Sequence, residues 1–182
     1  MKKILLSSIL AFGLVSSLNA YELNGDLGVK WTGFKTEKKA PVSGTFKEIN
    51  LNITKSDDLS EFLKSAKVDI ATASFDSKSP SRDKNITSTL FSLATSKTIN
   101  GSIVAVDVAK KSLTLEVVMN EVKKEVPMTY EMINNNIVAK GSIEILDFDM
   151  KNPFMAFAKK CAVFHQNKSY SDVNIEFSIP YK

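Results

Sequence analysis

The chain has 182 residues, a formal net charge of +4, and a single cysteine, histidine and tryptophan. That length suits one domain with a real core. A charge so close to balance, with no arginine-rich stripe, excludes the electrostatic footprint of a nucleic-acid binder, and one cysteine excludes an intrachain disulfide.

Residues 1–20 read as a leader. Lys2 and Lys3 make a positive start, residues 4–15 are apolar, and Ser16-Ser17-Leu18-Asn19-Ala20 offers a small-residue cleavage site. The apolar run is shorter than the roughly 20 residues that a spanning helix needs. The expectation is a signal peptide over 1–20, export, no membrane span, and one domain over 21–182. Loss of the leader takes two lysines with it and lowers the charge from +4 to +2. No cysteine follows the apolar run, so no lipid anchor is expected.

Alternation then dominates. Leu27, Val29 and Trp31 alternate with Gly28, Lys30 and Thr32, as in a half-buried strand. Phe46 stands before Ile49, Leu51 and Ile53, and the phase slips between Phe46 and Ile49, as a β-bulge or bend would require. A short helix follows, capped by Ser56 or Asp57, with Leu59, Phe62 and Leu63 on its apolar face. Val68, Ile70, Ala71 and residues 73–75 read as a buried strand. Residues 82–91 read as a helix with Ile86, Leu90 and Phe91 on one side and Ser79-Pro80-Ser81 at its start.

Residues 103–108 and then Leu113, Leu115, Val117 and Met119 make two strands, with Lys110-Lys111 at the turn between them. Val126, Met128, Tyr130 and Met132 alternate next. Asn134-Asn135-Asn136 is a turn signal, because Asn tolerates left-handed backbone angles. Residues 137–148 read as the returning strand. Asn152-Pro153 starts a helix with Phe154, Phe157, Ala158, Cys161 and Ala162 inward. Val173, Ile175, Phe177 and Ile179 alternate last, before Pro180. The sum is a mainly β chain, an antiparallel β-barrel of about eight strands with two or three short helices. Eight strands is the size at which a barrel either fills with side chains or encloses one small ligand.

The strand of residues 68–75, the Arg82-Asp83 pair, Ile86 and Leu90-Phe91 together resemble the signature of the YceI-like family of bacterial periplasmic proteins. Val29-Lys30-Trp31-Thr32-Gly33-Phe34-Lys35, followed by Val42-Ser43-Gly44-Thr45-Phe46, is similar to that family's first hairpin. Many members carry histidines there; residues 24–34 have none, so no contact through them is carried over. The resemblance implies a lipocalin-like barrel, a periplasmic location, a bound polyisoprenoid or other long lipid, and association as a homodimer.

Alternation and resemblance together name an apolar pocket of Trp31, Phe46, Ile70, Phe91, Leu115, Val117, Met128, Tyr130 and Phe177, with Met119, Met128, Met132, Met150 and Met155 adding adaptable contacts. Arg82 is the candidate for the ligand's polar end. The competing reading has Arg82 and Asp83 pinning the loop or capping the helix. No catalytic role, cofactor or nucleic-acid partner is expected: one histidine leaves little room for a triad, and no phosphate loop or HExxH motif occurs.

Two other functions fit the residues. One is a filled barrel acting through its surface as a stress or interaction protein. The other is a metal or redox protein using Cys161 and His165, four apart, although two ligands are few for a metal and an apolar run raises a thiol's pKa. Asn-x-Ser/Thr triplets occur at Asn52, Asn85, Asn100 and Asn167. Only Asn85 has an acidic residue two positions before it, as some bacterial acceptor sites do.

Overall fold

The structure, a computed structural model, describes residues 20–182. The expected leader lies outside the described residues. Ten strand segments form one antiparallel sheet. They are β1 (Gly28–Lys35), β2 (Ala40–Phe46), β3 (Ile49–Asn52), β4 (Lys67–Ala71), β5 (Phe75–Asp76), β6 (Thr98–Asp107), β7 (Ser112–Met119), β8 (Val122–Ile133), β9 (Asn136–Glu144) and β10 (Asp172–Pro180). The order across the sheet is β3-β4-β6-β7-β8-β9-β10-β1-β2-β5.

The two ends of that order are the same two ribbons. β2 passes into β3 across Lys47 and Glu48, and β4 passes into β5 through a 3-10 turn at Thr72–Ser74. β2 pairs with β5 while β3 pairs with β4. At the kink, Lys47 N–H donates to the Ser74 carbonyl (2.9 Å) and Ala71 N–H to the Glu48 carbonyl (3.1 Å). The sheet therefore curls back on itself, and with each bent ribbon counted once the barrel has eight strands. The slip between Phe46 and Ile49 is that kink, and it lets one ribbon serve both edges of the sheet.

The strand expected through residues 68–75 is broken for the same reason. Thr72 and Ser74 hydroxyls bond the Lys97 and Ala71 carbonyls and stabilise a turn where a ladder would otherwise continue. Two further boundaries differ from expectation. Residues 145–148 form a 3-10 turn beyond β9, with the Glu144 carboxylate accepting from Leu146 N–H. The first helix, α1 (Leu59–Lys64), is capped by Asp58, whose side chain accepts from Glu61 N–H at 2.9 Å, while Ser56 accepts from Asp58 N–H.

The barrel has two unlike ends. At one, α1 drives Phe62 and Leu63 into the interior, where both are fully buried. Tyr21 stacks on Phe62 (5.9 Å between centroids) and leans on Tyr181 (5.6 Å). At the other end lie α2 (Pro80–Ile86), a π-helical turn (Thr87–Phe91) and α3 (Lys151–Cys161). Pro80 sits in the first turn of α2, where its fixed φ and missing N–H cost nothing. Thr87, Thr89 and Ser92 each bond a carbonyl one turn back, which loosens the helix into the wider turn and sends both Leu90 and Phe91 inward.

Candidate functional site

The inner face of β1 reads Val29, Trp31, Gly33, Lys35 from depth to mouth, because alternate residues share a face. The last two are small and charged, and neither fills the barrel. A Cβ built on Gly33 would meet nothing within 4 Å. Leu115, Ile143, Val173, Ile175 and Phe177 also line the interior yet keep accessible surface. That surface is the wall of a hollow of about 410 Å³. Small-molecule sites run from ~300 to 1,000 Å³.

The barrel is thus filled on one side and open on the other. Along β8 and β9, Val126, Met128, Tyr130, Ile137 and Ala139 are almost completely buried. Along β10 and β1, Val29, Val173, Ile175 and Phe177 keep accessible surface toward the hollow. Trp31 lies flat against Phe75, with ring centroids 4.5 Å apart, and donates its indole N–H to the Thr45 carbonyl (3.2 Å). Gly44 is what admits it: a Cβ there would collide with the Trp31 ring and the Asp76 carbonyl. Phe75 continues the aromatic wall to Phe46 (5.6 Å) and Phe91 (5.7 Å).

Of the pocket residues named from sequence, Trp31, Phe46, Ile70, Phe91, Leu115, Val117 and Phe177 line the hollow, and so does Arg82. Met128 and Tyr130 do not; this corrects the expectation. Both point inward, but into the filled side. Met128 packs on the bare backbone of Gly141, where a Cβ would come within 2.9 Å of its Cγ. The Tyr130 hydroxyl is buried without a protein partner among the described residues, and burial pushes its pKa up. Of the five methionines named from sequence only Met119 reaches the hollow; Met128 and Met150 are core, and Met132 and Met155 are exposed.

The mouth lies under α2, α3 and residues 163–170. Here the Arg82-Asp83 pair divides. The Asp83 carboxylate turns back and accepts from Ser77 N–H (2.9 Å) and from the Ser77 hydroxyl, tying α2 to the end of β5. Arg82 makes no ion pair among the described residues and lines the hollow. Lys35 behaves likewise. Lys39, by contrast, is held by Asp172 (3.2 Å) and lies over the Tyr170 ring (4.8 Å).

His165 completes the group. Its Nδ1 is 2.7 Å from the Ser169 hydroxyl, and its ring meets Phe157 edge-on at 5.5 Å. Burial lowers its pKa, and the charges of Lys35 and Arg82 lower it further. The Cys161 thiol, also buried at the hollow, is pushed up by burial against a smaller opposing pull from Lys160 and Lys35. Asn85 lies on α2 and faces the mouth, not a surface loop.

Sequence reasoning missed Lys35, Gly33, Phe157, His165 and Tyr170 as lining residues. Strict alternation from Val29 finds the first two. Nothing local marks Tyr170, which comes to the rim because residues 168–170 pair with the end of β1, Thr36 N–H bonding the Lys168 carbonyl and Tyr170 N–H the Phe34 carbonyl.

These features define an antiparallel β-barrel built around an apolar hollow and covered by helices at its open end. The sequence profile of the YceI-like domain matches residues 19–181, and the chain belongs to that family. A comparison with curated proteins gave no match. Among solved structures, a polyisoprenoid binding domain from Saccharophagus degradans superposes with a TM-score of 0.59 at 12% identity, covering 90% of this chain and 97% of that one. BcnA of Burkholderia cenocepacia superposes with a TM-score of 0.57 at 16% identity, covering 85% and 98%. A mutant CJ YceI protein gives 0.54 at 18% identity, covering 79% and 85%. At these identities the likeness concerns the fold. No helix among the described residues is long and apolar enough to cross a membrane.

Proposed function

We propose that this chain binds a long apolar molecule, a lipid or isoprenoid chain, in the hollow, and carries or stores it without catalysing a reaction. The observation that carries the reading is the unfilled side of the barrel: Trp31, Leu115, Ile175 and Phe177 face a hollow of about 410 Å³ that they do not close. A dry cavity is worth ~0.8 kcal/mol for each methylene it removes from water. The resemblance to a polyisoprenoid binding domain supports the same class of guest. Export to the periplasm and assembly as a homodimer belong to the proposal. N-terminal sequencing of the native protein and sedimentation of the loaded protein test them.

The direct test is organic extraction and native mass spectrometry of protein purified without detergent. A bound species of lipid or isoprenoid mass is the expected result. Recovery of none, together with no binding of an isoprenoid probe, sinks the reading. A filled barrel acting through its surface is disfavoured by the hollow itself. The metal reading has less support: among the described residues no group of three His, Cys, Asp or Glu side chains surrounds Cys161 and His165. Metal analysis of wild type and Cys161→Ser decides it.

A further inference from the structure

We propose that the guest carries an anionic head, a carboxylate or a phosphate, seated against Lys35, Arg82 and His165 at the mouth. This rests on the binding reading above and specifies its ligand class. Three elements bring these side chains to one place: the end of β1, the first turn of α2 and the turn at Val163–His165. All three are half-buried, so each has given up part of its hydration.

Among the described residues no carboxylate compensates Lys35 or Arg82, and His165 adds a ring N–H donor beside them. Asp83, the residue next to Arg82, is occupied by Ser77. Asp172 is engaged by Lys39. Glu176 is the one acid lining the hollow; it sits on the outward face of β10, 3.7 Å from Lys140. Lys30 and Lys67 occupy outward positions on β1 and β4 and are exposed. Half-buried cations left without a counter-charge bind an incoming anion more strongly than solvated ones do, since less hydration is surrendered on contact. Arg82 adds a planar fork that fits carboxylate and phosphate oxygens in pairs. The apolar wall begins immediately below, at Phe157 and Phe91, so a head held here directs its chain down the hollow.

The test compares palmitate, hexadecyl phosphate and hexadecanol, which share a chain and differ in head, at neutral pH. The readout is Trp31 fluorescence. Wild type is expected to bind both anions at least about tenfold more tightly than the alcohol, as one charge-assisted contact provides. In the Lys35→Gln/Arg82→Gln double variant the preference should vanish, the two anions binding no more than about twofold more tightly than the alcohol. Lys38→Gln, at the exposed hairpin tip, should keep it. Equal binding of anions and alcohol by wild type overturns the proposal, as does a preference that survives the double variant or is lost in Lys38→Gln. Failure of all three probes to bind overturns the binding reading itself, a separate result.

Discussion

Trp31 and Phe75 stack with their ring planes 21° apart, and this pair forms part of the wall of the hollow on the β1–β2 side. The stack depends on Gly44, which leaves room for the indole, and on the Thr45 carbonyl, which fixes its tilt. Trp31→Ala should weaken lipid or isoprenoid binding far more than Lys38→Ala, and should cost about 3 kcal/mol of stability in urea titration. Equal effects on binding would show that the hollow is not the ligand site. Trp31 is the only tryptophan, so its fluorescence reports on loading without a label.

Gly33 on β1 and Gly44 on the adjacent β2 both face inward, but into unlike surroundings. Gly33→Leu introduces a side chain into open space, so the fold should survive and ligand capacity should fall by tenfold or more. Gly44→Ala drives a methyl into the Asp76 carbonyl and the Trp31 ring, and should destabilise by about 2 kcal/mol or more. Thermal melts together with probe titration separate the two outcomes. Undiminished binding in Gly33→Leu would count against an apolar chain passing that point.

Asp83 and Arg82 are adjacent and should respond differently. Asp83→Ala removes a charged acceptor from Ser77 and should cost about 2 kcal/mol. Arg82→Gln should leave the melting temperature nearly unchanged. A large loss of stability in Arg82→Gln would assign both residues to the scaffold.

Acid should destabilise the protein. Lys78, through its side chain and backbone N–H, holds the Asp76 carboxyl below its usual range; hydrogen bonds from Lys55 and Lys110 do the same for Glu22 and Asp107. Each folded-state pKa lies below the unfolded value. Their stabilisation is therefore present above the ordinary carboxylate range and is lost as pH falls through the folded values. His165, also lowered, adds loss that starts earlier, as pH drops below the ordinary histidine range. Urea midpoints measured against pH check this. In Asp76→Asn the acid limb should flatten.

The Tyr130 hydroxyl has no protein hydrogen-bond partner among the described residues and lies inside the filled side of the barrel. Tyr130→Phe removes it without changing the ring, and should stabilise the fold by about 1 kcal/mol while leaving ligand binding unchanged. A loss of ligand affinity in that variant would place Tyr130 in the site after all.

Much of the architecture was legible because strand alternation is local. Val173, Ile175, Phe177 and Ile179 announce β10 by period alone, and Lys110-Lys111 with Asp107 announces a turn that the structure builds with an Asp107–Lys110 contact of 2.9 Å. Alternation gives the side of the strand but not what stands opposite. Met128 and Phe177 carry the same signal, yet Met128 meets packed backbone and Phe177 meets empty space. Helix caps were legible to within two residues, since Ser56, Asp57 and Asp58 are all competent and only the chain's approach to α1 selects Asp58.

From its amino acids alone this chain was bound to curl into an antiparallel barrel, because period-two patterning, turn residues and bend positions act between near neighbours. Whether the barrel would be hollow, and which cations would stand unpaired at its mouth, depended on distances between residues far apart in sequence. Gly33 leaves a gap only because no opposing side chain reaches it, and Arg82 faces the hollow while the neighbouring Asp83 turns back to Ser77. Those relations arise from three-dimensional closure, which periodicity does not encode.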